Sequence, residues 1–253
     1  MLNGNFRQNI RLRCEESLAI TTRQVKMALP NKKGSYVLLQ KALLLGVLLG
    51  LTLVIFGWIL IPRTNWLGIV AACLMLGMYG LVVYFGLPKI HPEILRWSGR
   101  FGLIAGIIFL GEILIEYIIL PKNNTNWGLI EFGSVFFLYF LSSLWVSYQS
   151  ARLRSGIVTA ILSAMLSALI WLITMLVMFY LFQGTDRQVE VFRAEGTYED
   201  FARSGMTDFN TFIMEDLLGA GFFHLLLGPI LASILGAIGG LLGRGIAKIR
   251  SHC

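Results

Sequence analysis

The chain has 253 residues, 56% of them apolar and only 14% charged, with a formal net charge of +7. Soluble domains carry about a quarter charged residues, so this composition excludes a water-soluble globular fold. The positive excess does not point to nucleic acid, because the basic residues cluster at the ends of apolar segments, as a topology signal would place them.

Six apolar stretches run over residues 38–62, 66–87, 101–120, 128–149, 156–183 and 217–243. Each is near or beyond the ~20 residues needed to cross a bilayer as a helix. The expected fold is all-α: a polytopic integral membrane protein with six transmembrane helices in three serial hairpins. Sixteen Lys and Arg residues precede or open the first span, or lie in every second connection or after the last span, against five in the remaining connections. Positive residues stay cytoplasmic during insertion. Both termini are therefore expected in the cytoplasm of a multi-pass protein of the plasma (cell inner) membrane.

Residues 1–36 form a basic cytoplasmic segment, with Phe6, Ile10, Leu18, Val25 and Leu29 among polar neighbours. The pattern leaves open an amphipathic helix on the membrane surface or an unstructured tail. Pro30 and the polar residues 31–34 should end any helix there. Residues 37–250 then form the six-helix bundle.

The first hairpin turn reads Ile61, Pro62, Arg63, Thr64, Asn65, Trp66; the second contains Pro121, Lys122, Thr125, Asn126 and Trp127. Each has a proline, a cation, then Thr-Asn-Trp, with the tryptophan where an interfacial anchor belongs. The repeat suggests parallel hairpins. Small residues recur four apart at Gly46 and Gly50, Gly102 and Gly106, Ala160, Ala164 and Ala168, Gly236 and Gly240, and Gly239 and Gly243. Such spacing lets helices approach closely, either within one bundle or across a dimer.

Residues 184–216 form an acidic connector, expected extracytoplasmic, with eight carboxylates against three arginines. The run Thr197, Tyr198, Glu199, Asp200 resembles a capping box and predicts a short helix over 198–204. Another helix should begin near Thr207 or Asp208 and enter the sixth span. There Pro229 should kink the helix and free a backbone carbonyl.

Ionisable residues inside spans are costly and are functional candidates by default. They are Glu112 and Glu116 in the third span, Glu131 in the fourth and His224 in the sixth. Glu112 and Glu116 share a helix face. Glu112 lies about 13 Å below the second turn and His224 about 12 Å below Asp216, on a rise of 1.5 Å per residue. A pairing of Glu112 with His224 is therefore geometrically open, with Glu116 and Glu131 above it. Such a set can pass protons, coordinate a cation or bind an amine; the alternative is a set of hydrated or hydrogen-bonded structural residues.

No cofactor is implied, no cysteine pair has metal-ligand spacing, and no catalytic motif occurs among the residues, so an enzyme is not expected. Ser163 and Ser167 near midspan read as packing residues rather than nucleophiles. In topology alone, with its basic N-terminal segment and helical pieces before the last span, the chain resembles the membrane subunits of ABC-2-type exporters. That resemblance implies a dimer and a separate ATPase. The functional expectation is a transporter-like or permease-like subunit for an ion or small solute. The alternative is a non-transporting membrane partner or assembly subunit of a larger complex. Expected partners are the lipid bilayer and a protein partner or second copy, with no nucleic acid.

Overall fold

A computed structural model describes the backbone of residues 32–119 and 125–252 and the side chains of 37–119 and 128–250. The expected N-terminal helix or tail over 1–31 and the second turn at 120–124 lie outside the described residues.

The described residues form helices and turns, without a strand. Helix α1 (Lys32–Leu60) starts upstream of the first apolar stretch. In the turn that follows, Thr64 donates both its N–H and its hydroxyl to the Ile61 carbonyl, at 3.1 and 2.8 Å. Asn65 then caps α2 (Trp66–Leu81) by accepting from the Leu67 N–H at 3.0 Å. Trp66 is exposed, as an interfacial anchor would be. Beyond Leu81 the helix widens into a π-turn (Val82–Gly86) and tightens into a 3₁₀ turn (Leu87–Lys89).

Helix α3 (Pro92–Ile118) begins nine residues before the apolar stretch that predicts it. Proline at the first helical position and the His91 ring, which accepts from the Glu93 N–H at 3.4 Å, set that start. Arg96 and Arg100 are therefore helical rather than in a connection. The Arg100 guanidinium lies 5.1 Å from the Trp97 ring centroid.

Helices α4 (Thr125–Ser150) and α5 (Leu153–Phe182) are joined through Ala151 and Arg152 alone. Helix α5 is the hub: 67% of its most apolar window is buried, against 28–33% in the other spans. Helices α3, α4 and the last helix, α8 (Phe209–His252), pack around it, and α8 also runs along α4. The three serial hairpins are present in connectivity; the third, α5 with α8, packs as closely as the inter-hairpin pairs α4 with α8 and α3 with α5. The first hairpin, α1 with α2, is peripheral.

Small residues make this packing. A methyl group at Gly102 would lie 2.8 Å from the Ser163 carbonyl oxygen of α5, and one at Gly239 would lie 2.5 Å from the Phe140 carbonyl oxygen of α4. Gly236 and Gly240 likewise press α8 onto α5 and α4. These stripes serve contacts inside the bundle. Hydroxyls cross the same seams: Ser163 donates to the Ser98 carbonyl at 3.2 Å, and Tyr139 shares a 2.6 Å hydrogen bond with Ser167. Interhelical bonds of this kind average about 0.6 kcal/mol in membrane bundles.

The connector folds as α6 (Asp186–Ala194) and α7 (Thr197–Ser204). Helix α7 stands where expected, but Gly196 rather than Thr197 is its N-cap and no side chain caps it, so the capping box does not form; α6 is unforeseen. Gly196 and Gly205 flank α7 at φ +76° and +72°, left-handed conformations that glycine adopts without side-chain strain. Asp208 opens α8 by accepting from the Thr211 N–H at 2.7 Å. Tyr198 stacks on Phe209 with centroids 4.7 Å apart, and Phe192 and Phe201 meet the same ring edge-on. This aromatic cluster pins the connector to the head of α8. At 44 residues, α8 is about 66 Å long, so it overshoots a ~30 Å hydrocarbon core at its ends. The result is an all-α, multi-pass membrane protein.

Candidate functional site

The four candidate residues reach the site from three helices. Glu112 and Glu116 lie one turn apart near the connector end of α3, Glu131 near the start of α4, and His224 in α8, one turn before the Pro229 region. The bundle brings all four into electrostatic reach of one another through Glu112. Its charge acts on Glu116, on Glu131 and on His224. Glu116 in turn lies within electrostatic range of Glu195 at the end of α6, and Glu195 within range of Asp216 in α8. The carboxylates therefore form a ladder from the connector into the bundle.

Glu131 lies within electrostatic range of both Glu112 and Glu116. It is only 7% exposed. Both its carboxylate oxygens are buried, and neither meets a hydrogen-bond partner among the described residues. The Glu112 carboxyl approaches without closing a hydrogen bond of normal geometry. Among the described residues the salt bridges are Arg187 with Glu190 and Arg203 with Asp200, so none neutralises Glu112, Glu116 or Glu131.

His224 is held in one tautomer. Its Nδ1 lies 2.9 Å from the Ala220 carbonyl and so carries the proton that it donates. Nε2 then presents a lone pair, and it is buried without a partner. The ring stacks on Trp171 of α5 at 3.8 Å and 7°, with Phe109 and Phe132 each 5.9 Å away. Below it lies a cavity of about 120 Å³, lined mainly by apolar atoms of Phe109, Phe136, Tyr139, Leu227 and Leu231 together with His224.

The connector contributes residues that sequence reasoning passed over. Arg187 of α6 donates its Nε–H to the Tyr117 carbonyl in the last turn of α3, where the helix dipole favours a cation. Its Nη1 pairs with Glu190 at 2.9 Å, while Nη2 is buried without a partner. Glu195 is exposed at the surface, yet its carboxyl is pushed up to about 7. Desolvation is the main cause, followed by the Asp216 and Glu112 charges, and a hydrogen bond with Thr197 works against them. The clue to Arg187 was its place as one of three cations in an acidic connector; nothing in the sequence marks Trp171 as the partner of His224.

Pro229 lies inside α8 and removes the N–H that would bond to the Leu225 carbonyl. The Tyr79 hydroxyl of α2 takes that carbonyl at 2.6 Å. Gly228, beside the proline, lines the cavity. Ser163 and Ser167 are buried and hydrogen-bonded into helix packing. No group of three or more His, Cys, Asp or Glu residues is arranged to hold a metal among the described residues.

No known protein family, curated protein or solved structure matches this chain.

Proposed function

We propose that the protein is a transporter-like or permease-like membrane subunit for an ion or small solute, with Glu112 and Glu131 as its central binding groups. One observation carries this reading: the Glu131 carboxyl is buried, and neither of its oxygens closes a hydrogen bond of ordinary geometry among the described residues. A buried carboxyl without a partner costs stability, and a purely structural residue would be expected to close its hydrogen bonds. A proton or cation arriving between Glu112 and Glu131 would remove that cost. The ladder through Glu116 and Glu195 supplies a graded acidic path from the connector to this point.

Reconstitution into sealed vesicles tests the reading. The wild-type protein should dissipate an imposed proton or monovalent-cation gradient, and Glu112→Gln should slow this by roughly tenfold or more, as expected for loss of a buried charged partner. Equal gradients in vesicles with wild type, Glu112→Gln and no protein would sink it.

A further inference from the structure

At the end of the bundle opposite the connector, the starts of α3 and α5 and the end of α4 border a second cavity, of about 240 Å³. Charged and polar side chains line it: His91 and Glu93 at the head of α3, Gln149 in α4, Arg152 in the turn and Ser155 in α5. Glu93 and Arg152 carry opposite charges into this one space without meeting. Neither forms a salt bridge among the described residues, and both are exposed. The His91 ring accepts from the Glu93 N–H at Nδ1, so its Nε2 carries the proton and donates.

The lining therefore holds donors (Arg152, His91 and Ser155) together with a carboxylate and an amide oxygen (Glu93 and Gln149). An anion alone would be repelled by Glu93, and a cation alone by Arg152. The complement that answers both is a zwitterion. The volume is several times the ~30 Å³ share of one water, so a single ion does not fill it.

Depth in the membrane narrows the class further. The spans that border the cavity begin or end at Lys89, Pro92, Ser150 and Leu153, which sets it at the surface of the bilayer. One helical turn deeper, Trp97 of α3 and Trp145 of α4 meet edge-on at 5.8 Å, the level at which interfacial tryptophans sit. Phospholipid heads occupy this depth. A phosphate suits the Arg152 guanidinium, and a primary ammonium, with three N–H donors, suits Glu93 and the Gln149 oxygen. Among the described residues no Phe, Tyr or Trp lines the cavity, so it lacks the aromatic cage that a quaternary ammonium favours.

We propose that this cavity binds the head of a zwitterionic phospholipid with a primary amine, a phosphoethanolamine head, with its phosphate at Arg152 and its ammonium at Glu93. The site lies at the opposite end of the bundle from the carboxylate ladder and stands independently of the permease-like reading.

The test is thermal unfolding of the full chain in dodecylmaltoside with added dioleoyl lipids. Phosphatidylethanolamine is compared with phosphatidylcholine (quaternary amine) and phosphatidylglycerol (phosphate without amine). The first should raise the unfolding temperature at concentrations at least about threefold lower than the other two, the scale of one partly exposed charge pair. Glu93→Gln should erase its advantage over phosphatidylglycerol, and Arg152→Gln should weaken it by a similar factor. Both side chains are exposed, and comparing lipids within each variant separates binding from any change in basal stability. Equal responses to the three lipids, tightest binding of phosphatidylglycerol, or a preference that survives both substitutions would overturn the proposal. So would soluble glycerophosphoethanolamine acting at the same concentration as the lipid, which would make the ligand a free solute.

Discussion

The Tyr79 hydroxyl donates to the Leu225 carbonyl at 2.6 Å, the one carbonyl of α8 that Pro229 deprives of its helical partner. Both residues are buried, Tyr79 at 4% exposure and Leu225 at 0%. A helix break in hydrocarbon is tolerated only when the freed group finds another donor. Here the donor comes from the peripheral hairpin, so this bond also ties α2 to the α8 segment that borders the cavity.

Tyr79→Phe should therefore destabilise the protein by about 1 kcal/mol, within the range measured for interhelical bonds and for orphaned buried carbonyls. Pro229→Ala restores the N–H that Leu225 lacks, so Tyr79→Phe in that background should cost clearly less. A double-mutant cycle of unfolding in detergent reads the coupling. Equal costs in the two backgrounds would show that the hydroxyl contributes by packing and not by satisfying Leu225.

The glycine seam between α8 and α4 makes a sharper contrast. A Cβ at Gly239 would lie 2.5 Å from the Phe140 carbonyl oxygen and 3.3 Å from the Leu144 nitrogen, backbone atoms that cannot move alone. Six residues on, Gly245 has open space around its Cβ position. Gly239→Ala should cost about 1–3 kcal/mol through overpacking. Gly245→Ala should be neutral or stabilise the helix by up to about 1 kcal/mol. Thermal unfolding of both variants checks the pair; similar shifts would mean that the seam can open without cost.

What the sequence makes legible follows from which forces act locally. The spans are visible because a continuous apolar run admits few folds other than a helix in lipid. The Asp208 start of α8 is visible because a cap is local chemistry, whereas α7 starts behind Gly196 without the side-chain cap that the Thr197 run suggested. Glu112 and Glu116 share a face by helical period, and rise per residue brings His224 to a compatible depth. The partners of Tyr79 and His224 are not visible. In an apolar helix the buried and lipid-facing sides have similar composition, so periodicity does not mark which side Trp171 or Tyr79 occupies. The early start of α3 is hidden because Arg96 and Arg100 read as loop charge until His91 and Pro92 are recognised as a helix opening. Helix α6 was missed because its charged residues obscure Val191 and Phe192, which it buries.

The turn between α4 and α5 stores backbone strain. Ala151 sits at φ +54°, the only non-glycine residue at positive φ among the described residues. It is exposed, so its methyl group is not a core contact. Holding an L-residue in the left-handed region costs roughly 1–2 kcal/mol, which glycine avoids at some cost in unfolded-state entropy. Ala151→Gly should thus raise stability, by up to about 1 kcal/mol. A lowered unfolding temperature would show that the turn tolerates alanine without strain.

Glu195 sets a pH dependence whose sign can be worked out. Its carboxyl, normally near 4.5, is pushed up to about 7 by desolvation and by the Asp216 and Glu112 charges. The folded protein therefore holds this proton more tightly than the unfolded chain does. By linkage, the contribution is fully favourable below about pH 4.5 and declines as pH rises towards about 7; above that the folded state carries the full penalty of the ionised group. The Asp216 carboxyl bears on the same group, so the quantity to measure is the difference between two proteins. Glu195→Gln keeps the shape and removes the charge. It should unfold at a higher temperature than wild type at pH 8, and that advantage should shrink as pH falls to 5. An advantage that does not change with pH would mean that Glu195 does not titrate in this window, and would detach the connector from the electrostatics of the ladder beneath it.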